Sequence, residues 1–550
     1  MNFNIPSYLF LYIMISLLPF QGCGQDRKNT AKHIADSLRN RDMNESNKSI
    51  AGNFSSQTKS KFDSLEIGIF LNQFPKLKKY EKNINTFYSR RNMAFAWFDK
   101  EGLIEHTSNL NDRVRNLKYD VVNKELAYAQ ALDSLIYEGN LENLSDATML
   151  KLELMLTAQY FAFADIVWEG MDANVSKKLD WNVPRKRVSY EEFLESILKT
   201  APEEIKDIER PVNRQYGLLK KFLQNYSELD EKGKWFEIKS IKKSLKPGDS
   251  SDVIVQVKQR LNDLGDLKMN NAEGKYDTDL EKAVMSFQLR HGLKEDGIIG
   301  KTTIVEMNVP FKQRIKQLII NMERSRWVPV SLNSYYLVVN IPEFKLHVNS
   351  GDKLLWSCNI VVGKPVHKTA IFSGELKYIV FSPYWNVPKS IVINEVLKDM
   401  RRDGNYLEKH DMEITGYRDG IPEIRQKPEP NNSLGLVKFL FPNSYNMYLH
   451  DTPAKSLFNE TSRAFSHGCM RIQEPFKLAQ FLLRNDDPSW NDEKINAAMN
   501  AGTERSITLD ERVPVFIVYF TAFVDRDGKI NFRKDIYNRD DRLAEMMLKN

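Results

Sequence analysis

The sequence predicts a multidomain α+β protein with a helical N-terminal half, a small three-helix domain and a mostly-β C-terminal domain that carries an insertion. Three observations lead to this prediction. The chain has 550 residues, whereas single domains rarely exceed about 250 residues. Apolar residues recur at helical spacing in the segments before residue 325. β-branched and aromatic residues dominate the segments that follow residue 334, as expected for strands.

Composition places the chain among globular proteins, with 42% hydrophobic and 28% charged residues. The formal net charge of +6 is too small to indicate nucleic-acid binding, and no basic stripe is interleaved with aromatic residues. The three cysteines are Cys23, Cys358 and Cys469, and neither a CxxC nor an HExxH pattern occurs. We therefore expect no metal ion and no cofactor.

The N-terminus contains an apolar stretch, residues 9–18, that is well short of the ~20 residues needed to span a bilayer. It ends at Phe20-Gln21-Gly22-Cys23, which resembles a lipoprotein signal. Removal of residues 1–22 and lipidation of Cys23 would anchor the mature chain to a membrane that faces the periplasm. No basic residue precedes the stretch and Phe20 stands where leucine is usual, so an ordinary or uncleaved signal peptide remains an alternative. Residues 23–60 are polar and predict a flexible tether.

The helical part divides into two regions. Residues 61–238 predict a helical domain whose most apolar helix lies within 147–168. A basic linker ends at Pro247-Gly248, and residues 247–309 then show two helical repeats of apolar residues, closed by Gly265 and Gly292. An amphipathic helix with Ile315, Leu318, Ile319 and Met322 on one face leads into the C-terminal domain.

Residues 333–525 predict the mostly-β domain, and 526–550 a C-terminal extension. Segments 335–341 and 344–348 have the composition of paired strands and are separated at Pro342-Glu343. Cys358 has apolar neighbours and is expected to pack within a strand. Charged, helical sequence over 389–430 interrupts the β pattern and predicts an insertion.

The most informative segment is Ser466-His467-Gly468-Cys469-Met470-Arg471, in which the cysteine follows His450 by nineteen positions. A cysteine attacks a carbonyl only as its thiolate, so it needs a nearby base or cation. A glycine before the nucleophile lets backbone N–H groups approach an oxyanion. We therefore interpret Cys469 as a nucleophile and His450 as its base, while a buried structural cysteine is the alternative reading. His467 is an alternative base, because side chains two apart on an extended segment share a face.

These residues resemble the catalytic domain of the L,D-transpeptidases, whose pattern is a histidine, a spacer of under twenty residues, then Ser-(His or Ser)-Gly-Cys, a hydrophobic residue and Asn or Arg. Further blocks occur in the family's order, at 361–365, 381–388, 432–443 and His450-Asp451-Thr452-Pro453. The blocks are most similar to the large members of Gram-negative cell envelopes. The resemblance implies that 61–238 is a scaffold domain, 247–309 a peptidoglycan-binding-like domain and 389–430 a capping lid.

The resemblance also implies a reaction. Cys469 would attack the carbonyl between diaminopimelate and D-alanine of a donor stem peptide, and an amine of a second stem would resolve the thioester to a 3→3 cross-link. Peptidoglycan stems would be donor and acceptor, and carbapenems would acylate the thiol. The resemblance implies three further roles. The N–H groups of Gly468 and Cys469 would donate hydrogen bonds to the oxyanion, and Asp451, Ser466 and His467 would orient the catalytic groups. Arg471, Trp385 and Tyr384 would bind the substrate.

Some alternatives stay open on the sequence alone. Tyr384 and Trp385 are as consistent with packing as with substrate binding. The same active site could instead use a lipoprotein lysine, a free D-amino acid or water as acceptor. A non-catalytic wall-binding scaffold is a further alternative, and the sequence leaves open whether residues 247–309 contact glycan.

Overall fold

The structure is a computed structural model that describes residues 60–99, 102–117, 125–137, 144–186, 188–200, 211–239, 243–268, 273–330, 332 and 334–549. The expected signal segment, Cys23 and the tether up to residue 59 lie outside these residues. A search of the described ranges finds no helix that is both long and apolar enough to cross a membrane.

The N-terminal region is helical, as expected. Its helices are α1 (Leu65–Gln73), α2 (Glu81–Arg90), α3 (His106–Arg115), α4 (Ala129–Tyr137), α5 (Asp146–Phe163), α6 (Ala173–Lys178), α7 (Tyr190–Lys199) and α8 (Arg214–Glu231), with a short strand β1 (Trp181–Asn182) between α6 and α7. Helix α5 begins where the Ser145 side chain accepts a hydrogen bond from Thr148 N, and every residue from Leu152 to Phe163 is buried. The prediction of a buried apolar helix within 147–168 is confirmed.

The middle region is a three-helix domain with a core of its own. Its helices are α9 (Asp252–Asp263), α10 (Thr278–Arg290) and α11 (Lys301–Met307). Ser251 and Asp277 cap the first two through their side chains. The domain is braced against the C-terminal segment, because Arg533 Nη1 donates to Arg290 O at 2.7 Å and the His291 ring stacks on Phe532.

Helix α12 (Phe311–Arg326) joins the helical half to the β domain and confirms the predicted amphipathic helix. It packs along α8 and contacts the last helix of the chain. Glu323 lies at its C-terminal end and is buried. Its carboxylate accepts hydrogen bonds from Arg326 Nη1 at 2.5 Å, from Trp327 Nε1 at 2.9 Å and from Met171 N at 2.7 Å. This one side chain therefore connects the scaffold, the joining helix and the start of the β domain.

The C-terminal domain is built on a barrel-like sheet. Its strands are β2 (Tyr335–Asn340), β3 (Lys345–Ser350), β4 (Lys353–Gly363), β5 (Ile371–Phe381), β9 (Val437–Leu440), β10 (Leu449–His450), β11 (Ala464–Ser466), β12 (Met470–Ile472) and β13 (Arg505–Val518), with β6 to β8 in the insertion. The order β5-β13-β2-β3-β4-β12-β10-β9 returns to β5, while β1 of the scaffold adds to β5 and β11 to β4. The predicted pair 335–341 and 344–348 is confirmed as β2 and β3, and Cys358 is buried in β4.

One set of alternating side chains fills the inside of this sheet. The core includes Leu337, Val339, Leu346, Val348, Ile360, Phe439, Leu449, Met470, Val515 and Ile517. Two helices, α16 (Pro475–Asp486) and α17 (Asp492–Met499), contribute Leu478 and Ile495 to the same cluster. The side chains that alternate with these core residues lie on the opposite face of each strand.

The insertion forms a small cap with its own apolar cluster, made by Val387, Val392, Val396 and Ile424. It is helical only in its first half, with short helices at Lys389–Ile391, Leu397–Arg402 and Tyr406–Lys409 and a π-helical turn at Val392–Val396. Its second half is a hairpin of β7 (Met412–Arg418) and β8 (Ile421–Gln426), to which β6 (Trp385–Asn386) adds. The helical prediction for 389–430 is therefore wrong for its second half, where Asp419-Gly420, both at positive φ, form a hairpin turn.

Residues 526–549 are built into the domain. Strand β15 (Ile530–Phe532) pairs with β14 (Ala522–Val524), and α18 (Asp540–Lys549) places Leu543 in the main core. The Tyr537 hydroxyl donates to Gly363 O at 2.6 Å, next to the segment that carries the candidate nucleophile. The segment expected as an extension thus supports the site.

Candidate active site

The site forms where β10 and β12 pair in parallel. Leu449 pairs with Met470, and both side chains are buried in the core. The neighbours of these two residues along each strand must therefore project from the other face of the sheet. Those neighbours are Tyr448, His450, Cys469 and Arg471. The strand register thus brings together the predicted nucleophile, the predicted base and the arginine of the motif.

The loop that carries Cys469 is held by hydrogen bonds within itself. Ser466 Oγ donates to Cys469 O at 2.6 Å and accepts from Gly468 N at 3.1 Å, while Thr369 Oγ1 donates to Gly468 O at 2.8 Å. Gly468 has φ +123°, a conformation that an L side chain rarely adopts. Ser466 and Gly468 therefore fix the loop geometry.

This arrangement distinguishes the two expected oxyanion donors. Gly468 N–H is already engaged by Ser466 Oγ. Cys469 N–H has no acceptor among the described residues. Only the second of these donors is available without rearrangement of the loop.

The Cys469 thiol is partly buried and has Tyr448 and Arg471 as polar neighbours. Burial raises the pKa of the thiol above its usual value of 9.0, and hydrogen bonds from the backbone N–H and hydroxyl of Tyr448, together with the Arg471 charge, partly oppose that shift. The sequence reading missed Tyr448. Its signal was the alternation Tyr448-Leu449-His450, which places the first and third residues on one face.

His450 is buried, and its Nδ1 lies 2.5 Å from Asp451 O. A carbonyl oxygen only accepts, so Nδ1 carries the proton and Nε2 has the free lone pair. Burial, together with the nearby charge of Arg471, lowers the pKa of His450 to about 3. Hydrogen bonds to the carbonyls of Asp451 and Leu434 oppose this shift, since they favour the protonated imidazole.

The Asp451 carboxylate has a different function from its carbonyl. It accepts hydrogen bonds from Leu436 N at 2.9 Å and Thr452 N at 2.7 Å, and it pairs with Lys455. Gly435, at φ +62°, packs so closely on this carboxylate that a Cβ there would overlap it. The carboxylate therefore holds the loop before β9 against the strand that carries His450.

Arg471 is the least satisfied polar group of the site. Its Nε is buried and has no hydrogen-bond partner within the described part of the chain. Burial lowers the pKa of Arg471, while attraction to the Cys469 thiolate raises it. A buried donor without an acceptor suits an anion, which here could be the thiolate or a substrate carboxylate.

His467 faces the cap. Its Nε2 lies 2.9 Å from Glu395 Oε1, which belongs to the π-helical turn of the insertion, and its ring lies 4.9 Å from that of His367. This contact connects the loop that carries Cys469 directly to the cap.

The two aromatic candidates also face the cap. The Arg425 guanidinium lies 4.0 Å from the centre of the Tyr384 ring, and Trp385 packs against the apolar cluster of the cap while its strand pairs with β8. Both side chains therefore take part in the joint between the β domain and the insertion. Over the described ranges, no group of three His, Cys, Asp or Glu residues is arranged to hold a metal ion.

Three family models match the chain. The model described as "L,D-transpeptidase catalytic domain" covers residues 334–505 and so includes every residue of the site. The model described as "Scaffold domain" covers residues 82–223. The model described as "Putative peptidoglycan binding domain" covers residues 250–307.

Individual proteins are similar at lower coverage. A Haemophilus influenzae protein named "Putative L,D-transpeptidase" is 29% identical over 240 residues, which is 41% of this chain and 48% of that protein. The chain thus spans about half the length of this relative. An L,D-transpeptidase structure from Xylanimonas cellulosilytica is 14% identical, with 51% of this chain and 100% of that one aligned and a TM-score of 0.18. One from Stackebrandtia nassauensis is 14% identical, with 50% and 94% aligned and a TM-score of 0.21. At these TM-scores neither structure supports an inference about the site.

Proposed function

We propose that this chain, a multidomain L,D-transpeptidase by its three matched domains, forms 3→3 peptidoglycan cross-links through a thioester on Cys469. The observation that supports this reaction is the β10–β12 register: Leu449 and Met470 pair and face the core, so the adjacent residues His450 and Cys469 are expected to share the other face. The match to the catalytic domain family supplies the substrate class.

Acylation begins from a neutral pair. Burial raises the pKa of the thiol and lowers that of His450, so neither group is charged near neutral pH in the free enzyme. His450 Nε2 accepts the thiol proton as Sγ attacks the carbonyl that joins the third stem residue to the fourth. Arg471 then stabilises the thiolate as it forms, and the carbonyls of Asp451 and Leu434 stabilise the imidazolium.

The tetrahedral intermediate needs donors for its oxyanion. Cys469 N–H is the donor that requires no rearrangement, and Gly468 N–H joins it only by leaving Ser466 Oγ. One such donor contributes about 2.7–4 kcal/mol in comparable acyl-transfer sites. Collapse of the intermediate expels D-alanine, whose amine takes the proton from His450.

Deacylation reverses these roles. An amine of a second stem attacks the thioester, and His450 accepts the amine proton. Collapse of the intermediate forms the new amide bond and breaks the C–S bond, and the Cys469 thiolate takes the proton back from His450. The cap favours amine over water because it covers the nucleophile loop through the His467–Glu395 contact and limits access of solvent.

The test combines product analysis with trapping. The purified enzyme is incubated with sacculi, the muropeptides are analysed for 3→3 dimers, and intact-protein mass spectrometry detects the acyl-enzyme. The variant Cys469→Ala is expected to give neither dimers nor adduct. Formation of 3→3 dimers by that variant at the level of the unmodified enzyme would contradict the proposal.

Further parts of the proposal concern partners and location. The same muropeptide analysis distinguishes the other acceptors. Water as acceptor gives tripeptide stems, whereas a D-amino acid or a lipoprotein lysine gives a stem that carries that acceptor. Carbapenems are proposed to acylate Cys469, with an added mass that is absent from Cys469→Ala. The enzyme is proposed to act in the periplasm, anchored through lipidated Cys23, and membrane fractionation of Cys23→Ser is expected to release it.

A further inference from the structure

A cleft of about 260 Å³ opens where the N-terminal end of α8 meets the outer face of the sheet. Its volume is close to the lower end of small-ligand sites, which begin at about 300 Å³. Its floor consists of side chains that alternate with the core residues on three neighbouring strands. These are Tyr336 and Val338 on β2, His347 and Asn349 on β3, and Phe516 and Val518 on β13.

The walls of the cleft are fixed by hydrogen bonds between the scaffold and the β domain. Asn213 Nδ2 donates to Pro329 O at 2.9 Å. Gln215 Nε2 donates to Val524 O at 2.8 Å, and Val524 N donates back to Gln215 Oε1 at 2.8 Å. The cleft is therefore formed before any ligand binds.

Two of the acidic groups in the lining already have polar partners within the chain. Glu343 lies 2.9 Å from His347 Nε2 and accepts from Asn340 Nδ2 at 3.2 Å. The Asp525 carboxylate accepts from Lys529 N at 2.9 Å and from Asn531 Nδ2 at 2.8 Å. Neither carboxylate is left to bind a ligand.

Three other charged groups surround the opening, and each comes from a different element. Arg214 is on α8, Arg526 on the β14–β15 turn and Asp352 on the β3–β4 turn. Over the ranges that the structure describes, none of the three side chains makes a hydrogen bond or an ion pair. Partial burial and the nearby charge of Arg526 lower the pKa of Arg214, while the charge of Asp352 raises it, so both groups lie within the field of Arg214. Two such cations beside one carboxylate favour a ligand that carries both an anion and a cation.

The cleft is separate from the active site. His347 in its floor pairs with Ser357 on β4, and Gly363, which packs against the nucleophile loop, lies six residues further along the same strand. At about 3.3 Å per residue, six residues correspond to about 20 Å. A ligand in the cleft would therefore not contact Cys469.

We propose that this cleft binds a zwitterionic amino-acid group of a second peptidoglycan stem, its carboxylate between Arg214 and Arg526 and its ammonium group on Asp352. The aliphatic part of the residue packs over Val338, Phe516 and neighbouring apolar side chains of the floor. The free end of a diaminopimelate residue has this chemistry, and its assignment to the wall polymer rests on the proposed function. Binding at a second point on the same polymer raises the local concentration of stems at the active site.

The experiment uses the full chain with Cys469→Ala, which prevents turnover, and a photoreactive diazirine derivative of the tripeptide L-Ala-γ-D-Glu-diaminopimelate. Mass spectrometry maps the labelled segments. We expect the label in residues 335–352 or 513–526. The double variant Arg214→Gln/Arg526→Gln is expected to reduce the amount of label about ten-fold, because two charge-assisted contacts are lost. A second probe is acetylated on the amine at the free end of diaminopimelate. The unmodified chain should prefer the probe in which this amine is free, and Asp352→Asn is expected to remove that preference. These three residues are exposed, and circular dichroism confirms that each variant is folded.

Absence of label from the cleft segments, or label that is insensitive to the arginine and aspartate changes, overturns the inference. A second readout separates this result from failure of the proposed function. With Cys469 intact, the double arginine variant is expected to keep its rate on disaccharide-tetrapeptides and to require several-fold more sacculi for half-maximal rate. Cross-linking activity without labelling of the cleft would support the proposed function and reject the cleft as a binding site. Cleft labelling without any cross-linking by the enzyme leaves the cleft as a wall-binding site.

Discussion

At the residue scale, the pair of Cys469 and His450 differs from a preformed ion pair. Burial raises the pKa of the thiol, and the imidazole, with a pKa of about 3, stays neutral down to acidic pH. We therefore predict that the rate of Cys469 alkylation by iodoacetamide rises continuously from about pH 5 to about pH 10. No inflection is expected below pH 9.0, which is the usual pKa of a cysteine thiol. Peptide mapping gives the rate at Cys469 separately from that at Cys358.

Tyr448→Phe provides the matched control for this titration. The Tyr448 hydroxyl lowers the pKa of the thiol, so its removal should shift the alkylation profile to higher pH. A plateau that begins between about pH 6 and 7 in the unmodified enzyme would instead indicate a thiolate–imidazolium pair.

The two histidines of the motif are predicted to differ in their effect on turnover. His450→Ala removes the proposed general base, and a general base typically contributes a factor of about 10² to 10⁴, whereas His467→Ser removes a cap contact. Initial rates of dimer formation, with thermal melting as a folding control, test the ranking. Greater loss in His467→Ser than in His450→Ala would transfer the base role to His467.

Gly435 tests the support of His450. A side chain at this position would overlap the Asp451 carboxylate, so Gly435→Ala should displace the segment that holds His450 and lower kcat as well as the melting temperature. Gly502→Ala is the matched control, since Gly502 has a similar φ of +66° with open space around its Cβ position. Both variants carry the same backbone strain, so equal kcat in the two would show that Asp451 does not position the base.

At the scale of elements, the cap contacts the loop that carries Cys469 through the Glu395–His467 pair. Glu395→Gln weakens this contact, and we predict that more acyl-enzyme is lost to water, so that the ratio of tripeptide product to 3→3 dimer rises several-fold. Glu408→Gln changes an exposed cap carboxylate away from this contact and should leave the ratio unchanged. Chromatographic analysis of muropeptides measures both products. An unchanged ratio in Glu395→Gln would mean that the contact does not control access of water.

The same elements show what the sequence could predict. The β2–β3 pair was predicted correctly because alternation and turn residues are local signals. The β10–β12 register was not predictable, since it pairs strands separated by a long loop. The local alternation places Tyr448 on the face of His450, but only the register brings that face to Cys469. The cap hairpin was missed although Asp419-Gly420 signals it, because the preceding charged helices dominated the reading. The Gly468 N–H is engaged by the Ser466 side chain, and no rule of sequence spacing predicts this hydrogen bond.

At the scale of the whole molecule, the scaffold and the β domain share a buried polar junction at Glu323. Glu323 is 2% exposed, and its carboxylate binds groups from the scaffold, from α12 and from the start of the β domain. Loss of one partner from a buried pair typically costs about 3–5 kcal/mol, because the remaining charge stays desolvated. The junction should therefore make the two domains unfold together.

We predict that Glu323→Gln lowers the free energy of unfolding by about 3–5 kcal/mol. Glu228→Gln breaks an exposed pair with Lys232 four residues further on, at the end of α8, and should change this free energy by less than about 1 kcal/mol. Denaturant unfolding followed by tryptophan fluorescence and by far-ultraviolet circular dichroism measures both variants. Coincident transitions are expected in the unmodified chain, because Trp168 of the scaffold and Trp327 of the junction lose their packing in one step. Separate transitions, or equal destabilisation by the two variants, would show that Glu323 does not couple the domains, and the scaffold would then be an independent support for the catalytic domain.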